Sequence, residues 1–156
     1  DDLLRGQGEG AGWKMPRVRV GGTPAEGPPA LARPVHKAVL WGGNLAVLTS
    51  LVGSPYFPEV KGGVLVLEDL VEIYANLFVE RDSQKAIVLG QFTRYSLAPN
   101  DKGYSLNTVV AWLRSKTRVP VLMNLPMGHV PTKVILPFGA PVDLLVDGRD
   151  ALIYWG

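Results

Sequence analysis

The chain has 156 residues, 47% of them apolar and only 19% charged, which fits one domain with a real core and argues against disorder over most of its length. Formal charge is +2 without a run of Lys or Arg, so there is no electrostatic footprint for nucleic acid. Cysteine is absent and only two histidines occur, which excludes disulfide scaffolds, thiolate nucleophiles and Cys- or His-rich metal sites.

Residues 1–34 are dense in Gly and Pro, as in Gly6-Gln7-Gly8-Glu9-Gly10 and Gly21-Gly22-Thr23-Pro24. Apolar residues there stand singly apart from Leu3-Leu4, so the segment reads as a linker or extended arm. It opens at Asp1 rather than at a methionine, which points to a fragment of something longer. No hydrophobic signal peptide opens the chain.

Residues 35–156 read as one domain in which strands and helices alternate. Ala38-Val39-Leu40-Trp41 is a buried strand ending in Gly-Gly. Asn44 caps a helix whose Leu45, Leu48 and Val52 share a face, with Gly53 at the exit. The uncharged run from Ala38 to Pro58 is long enough to cross a bilayer. It contains Gly42-Gly43-Asn44, Thr49-Ser50, Pro55 and Pro58, whose polar groups lipid would leave unpaired, so a membrane span is rejected.

Val64-Leu65-Val66-Leu67 is an uninterrupted apolar strand of the kind covered on both faces. Leu70, Ile73, Tyr74 and Leu77 recur at helical spacing. Ala86–Leu89 is another buried strand, and Leu106, Val109, Val110 and Leu113 mark a second clear helix. Val119–Met123 and Lys133–Leu136 read as strands. Asp147-Gly148 is the turn of a hairpin between Val142–Val146 and Ala151–Trp155. The order predicts an α/β domain with a mixed sheet.

Three places could carry chemistry. Glu68-Asp69 sits where a strand stops, and sites in open α/β sheets gather at the carboxyl ends of strands. A helix cap and a dipole partner explain the same pair. His129, in Leu125-Pro126-Met127-Gly128-His129, also comes after a strand. On parallel strands the two would emerge at one rim, where a carboxylate fixes the imidazole tautomer and leaves its other nitrogen as general base. A loop histidine bonded to a backbone carbonyl is the plainer alternative, and His36 reads as surface. Gly42-Gly43-Asn44 exposes backbone N–H groups that can cradle a carboxylate or phosphate. It matches neither GxGxxG nor a P-loop, so nucleotide binding is disfavoured.

The chain offers no nucleophile of its own. Its serines are Ser50, Ser54, Ser83, Ser96, Ser105 and Ser115, none of them in a GxSxG elbow. Adjacent Glu68 and Asp69 do not suit carboxylate-pair hydrolysis, which needs groups on both sides of one bond.

Four stretches, in order, resemble the C-terminal half of the LD-carboxypeptidases, the muramoyltetrapeptide carboxypeptidases of serine peptidase family S66. They are Leu40-Trp41-Gly42-Gly43-Asn44-Leu45-Ala46, Val64–Asp69, Ala86–Phe92, and Pro120 through Pro137 with Gly128-His129 inside. The resemblance implies a swivelling β/β/α-type domain and a Ser-His-Glu hydrolase of the cytoplasm. Such an enzyme removes the terminal D-alanine from murein tetrapeptides during cell-wall recycling, and needs no cofactor. It assigns Glu68 and His129 to the triad, and leaves the serine to an N-terminal nucleophile domain that nothing here matches. The Gly43-Asn44 turn is expected near the substrate end of the cleft. Neither nucleic acid nor membrane is an expected partner, and a homodimer is a candidate assembly.

One departure comes after Glu72, where the family's Asn-Glu-His-Pro-Tyr-Arg type of segment is replaced by the shorter Ile73–Asp82. That departure and the missing nucleophile keep a second reading in view, a non-catalytic module binding muropeptide or a partner chain. A plain structural or dimerisation domain is the third.

Overall fold

The computed structural model describes residues 9–17, 19–20, 23–24, 31–68, 83–92, 105–128, 130–131 and 133–156. In chain order these give β1 (Glu9–Lys14), β2 (Arg19–Val20), β3 (Thr23–Pro24), β4 (Val35–Asn44), α1 (Leu45–Leu51), β5 (Val64–Glu68) and β6 (Ala86–Gln91). Then come α2 (Leu106–Lys116), β7 (Val121–Gly128), β8 (Pro141–Asp147) and β9 (Asp150–Trp155). The helix expected around Leu70–Leu77 lies outside the described residues.

Seven strands make one mixed sheet in the order β1-β9-β8-β4-β5-β6-β7. Strands β4 to β7 run parallel, while β8, β9 and β1 add on antiparallel. The sheet rolls until its edges meet: the Trp13 indole N–H on β1 donates to the Met123 carbonyl on β7 at 2.8 Å. In return, the Asn124 amide on β7 donates to the Lys14 carbonyl at 2.9 Å.

Rolling creates two apolar layers, and the alternation of side chains along each strand sorts residues between them. Val64 and Val66 of β5, with Val88 of β6, face inward among Trp13, Met15, Leu40, Leu122, Leu144 and Ile153. Leu65 and Leu67, with Ile87 and Leu89, face outward and are covered by Leu45 and Leu48 of α1 and by Val110 and Leu113 of α2. This double cover is why β5 and β6 are continuous apolar runs. It is the mixed α/β architecture the sequence predicts.

Several local expectations are corrected. Within the arm of residues 1–34, Glu9–Lys14 pair with β9 as an edge strand and bury Ala11 and Trp13, with Met15 just beyond. Glycines at 10 and 12 hide a period-two pattern whose inward members are all apolar. Val52 does not continue the face of α1: it is the C-cap, with φ −57° and ψ 128°, and is exposed. Lys133–Leu136 is not a strand. Val134 donates to the Pro126 carbonyl at 2.8 Å, Val134 and Leu136 pack on the inner layer, and Ile135 points to solvent. The residue alternation is strand-like, but no ladder forms on it.

Candidate active site

The four parallel strands finish at a common rim, at Asn44, Glu68, Gln91 and Gly128. This is the edge at which an open α/β sheet presents ligand-binding groups. Asn44 stands directly opposite Glu68 in the β4–β5 register. Its side-chain oxygen accepts from Val47 N–H at 3.1 Å and caps α1, as expected of it.

The two glycines before Asn44 serve different ends. Gly42 has φ +127°, and a methyl there would run into the backbone of Val66. That glycine lets β4 lie close on β5. Gly43 has φ +134° with nothing within 4 Å of where a Cβ would stand. Its outer side is therefore open, and a ligand group can approach the backbone there.

Glu68, half-buried, ends β5. Its side chain lies along Gly128: a Cβ built on Gly128 would be 3.5 Å from Glu68 Oε2 and 3.7 Å from Glu68 Cβ. Gly128 is buried and has φ +103°, a conformation and a space that suit glycine alone. Just past it, Val130 N–H donates to the Gly128 carbonyl at 3.0 Å. The Glu68 side chain and the end of β7 are thus neighbours at this rim. His129 and Asp69 lie outside the described residues.

Two residues at this rim carry no motif and escape a reading of the sequence. Gln91 ends β6, and its side-chain amide donates to the Asn124 carbonyl at 3.4 Å. Asn124 sits within β7 at φ +71°, a left-handed conformation that few residues other than Gly and Asn adopt. An Asn inside the otherwise apolar Val121–Leu125 run is the only signal the sequence carries for it.

No described serine has a histidine or a carboxylate among its hydrogen-bond partners, the arrangement that would activate it. Ser50 donates to Val47 O and Ser115 to Trp112 O, Ser54 accepts from Tyr56 N–H, Ser83 from the Gln84 amide and Ser105 from Thr108 N–H. Ser96 lies outside the described residues. No cluster of three His, Cys, Asp or Glu that could hold a metal is found among the described residues. Nor is any described helix long and apolar enough to cross a membrane.

His36 is exposed, as expected, yet it has a partner at the far end of β4. Its Nδ1 lies 3.3 Å from Asp143 Oδ2, while Asp143 Oδ1 accepts from Lys37 N–H at 2.8 Å. The Lys37 N–H, and after it the His36 hydrogen bond, hold the Asp143 carboxyl below the usual carboxylate range.

Residues 37–144 match the model of the LD-carboxypeptidase C-terminal domain, and the chain belongs to that family. The muramoyltetrapeptide carboxypeptidase from Oxalobacter formigenes has a solved structure similar to all of this chain and 52% of its own, at 30% identity and a TM-score of 0.82. YocD of Bacillus subtilis (strain 168), which is named as a carboxypeptidase, is 29% identical over 130 residues, 74% of this chain and 38% of its own length. The microcin C7 self-immunity protein MccF of Escherichia coli is 29% identical over 123 residues, 72% of this chain and 35% of its own length. A structure of MccF with aspartyl sulfamoyl adenosine matches 79% of this chain at 25% identity and a TM-score of 0.64. The chain thus spans between about a third and a half of the length of these relatives.

Proposed function

We propose that this chain is the C-terminal half of a serine-type LD-carboxypeptidase and supplies Glu68 and His129 of a Ser-His-Glu triad. The observation that carries this reading is that the Glu68 side chain lies beside Gly128, to which His129 is joined directly in the chain.

In this reading Glu68 accepts from one imidazole nitrogen, fixes the tautomer and stabilises the imidazolium. The other nitrogen takes the proton of a serine on an N-terminal domain. That serine attacks the carbonyl before the terminal D-alanine of a murein tetrapeptide, and water resolves the acyl-enzyme. The open side of Gly43, beside the Asn44 amide, lies at the substrate end of the cleft. The role belongs to peptidoglycan recycling in the cytoplasm. The length of the relatives supports a missing partner domain, and the local bonding of the described serines agrees with it.

The test uses the two-domain protein with murein tetrapeptide. Glu68→Gln should lower kcat by about 10²- to 10⁴-fold with KM little changed, and His129→Ala should abolish turnover. The present chain alone should release no D-alanine. Full turnover by Glu68→Gln, or D-alanine release by the isolated chain, sinks the reading. MccF was captured with aspartyl sulfamoyl adenosine, so aminoacyl sulfamoyl nucleosides belong beside the murein substrate in the assay.

A second reading, a non-catalytic module for muropeptide or a partner chain, is favoured by the shortened segment after Glu72 and by the lack of a serine at the rim among the described residues. It predicts ligand affinity that survives both substitutions, without turnover in any form.

A further inference from the structure

The ladder between β6 and β7 is uneven. Val88 and Gly90 are two residues apart while their partners Leu122 and Leu125 are three apart. Gly90 and Gln91 are adjacent while Leu125 and Gly128 are again three apart. Extra residues therefore enter β7 twice, first around Asn124 at φ +71°. Bulges of this kind bend a strand and re-aim the side chains beyond them. Leu122 and Leu125, on either side of the first, both still face the inner layer.

Three side-chain bonds meet at that bulge. Trp13 donates to Met123 O, Gln91 donates to Asn124 O, and the Asn124 amide donates to Lys14 O. Each of the two bulge carbonyls thus has a donor from a different strand. Beyond the bulge, Gly90 leaves room for the Met127 carbonyl, which would stand 2.8 Å from a Cβ. One step further, Gly128 lies beside the Glu68 side chain. Trp13 and Lys14 lie outside the region matched by the family model.

We infer that Asn124, whose flanking carbonyls are held by Trp13 and Gln91, is a positioning residue: it sets how far β7 extends, and so where Gly128 stands beside the Glu68 carboxylate. The inference rests on the Ser-His-Glu reading and assigns β1, the edge strand that closes against β7, a part in assembling the catalytic pair.

The test is an NMR titration of the two histidines in this chain, with His36→Gln identifying which signal belongs to His129. Glu68→Gln should lower the His129 pKa by about 1 pH unit by removing a carboxylate partner. Asn124→Gly, which keeps the backbone conformation but loses the amide, and Trp13→Phe, which keeps the ring but loses the N–H, should each lower it part of the way. A near-ultraviolet dichroism spectrum matching wild type reports that the fold is intact in each variant. If Glu68→Gln lowers the value but both clamp variants leave it at wild type, positioning is overturned and the triad reading stands. If Glu68→Gln leaves it unchanged, the triad reading fails and the inference with it. Should Trp13→Phe fail to fold, Asn124→Gly decides alone, because glycine takes a positive φ without strain.

Discussion

The indole of Trp13 and the carbonyl of Met123, 110 residues apart in sequence, share a 2.8 Å hydrogen bond that helps shut the sheet on itself. The ring is buried in the inner layer, so the residue contributes both packing and a bond. Trp13→Ala should destabilise the domain by about 3–5 kcal/mol, the usual range for emptying a buried aromatic site. Trp13→Phe should cost about 1–2 kcal/mol, mainly for leaving a carbonyl without its donor. Urea unfolding of the three proteins checks both, and a Trp13→Phe protein as stable as wild type would show that the bond adds nothing.

The paired glycines at the end of β4 should separate. Both have positive φ, but only Gly42 has the Val66 backbone where a side chain would go. Gly43→Ala should cost about 1–3 kcal/mol for backbone strain alone. Gly42→Ala should cost more, because two parallel strands must also move apart. Thermal unfolding of the two variants ranks them, and the reverse order would refute the close-packing account.

Asn44 combines two roles that substitution can divide. Its oxygen caps α1 through Val47 N–H, so Asn44→Ala should cost about 1 kcal/mol. Asn44→Asp keeps a capping oxygen and should hold stability near wild type. It lacks the amide N–H groups, so a rise in KM for murein tetrapeptide in the two-domain protein would mark them as substrate contacts.

Asp143 gives the fold an acid-sensitive tie. Its folded carboxyl is held below the usual range by the Lys37 N–H first and His36 second. A depressed carboxylate contributes stability above its unfolded pKa, about 3.9. That contribution is lost as pH falls through the lower, folded value. Asp143→Asn should therefore be less stable than wild type near neutrality, and the gap should close below about pH 4. A gap that persists there would show that the carboxylate charge is not the source of this stability.

How much of the fold is legible in the sequence depends on the strength of the local code. Val64–Leu67 and Ala86–Leu89 are unmistakable because burial on both faces leaves no polar position in them. The Asp147-Gly148 hairpin and the Asn44 and Ser105 caps have residues chosen for one geometry each. Strand β1 is hidden because Gly10 and Gly12 occupy its outward positions, and glycine reads as linker until Ala11, Trp13 and Met15 are seen to share a face. Lys133–Leu136 errs the other way: alternation reports which side of a chain is buried, not whether a neighbouring backbone lies alongside it. At the rim, Glu68 is visible as the polar end of an apolar run. Gln91 and Asn124 are not, because a bulge depends on the register between two strands, which neither strand records by itself.

A cylinder laced by side chains at one seam, and by backbone ladders elsewhere, has a preferred place to part. Brief openings should begin between β1 and β7, so deuterium should enter the amides of β1 before those of β5 and β6. The strand loosened in such an event is the one that runs on to Gly128. Breathing at the seam would then reach the rim that holds Glu68 along a single length of chain, with no hinge between them.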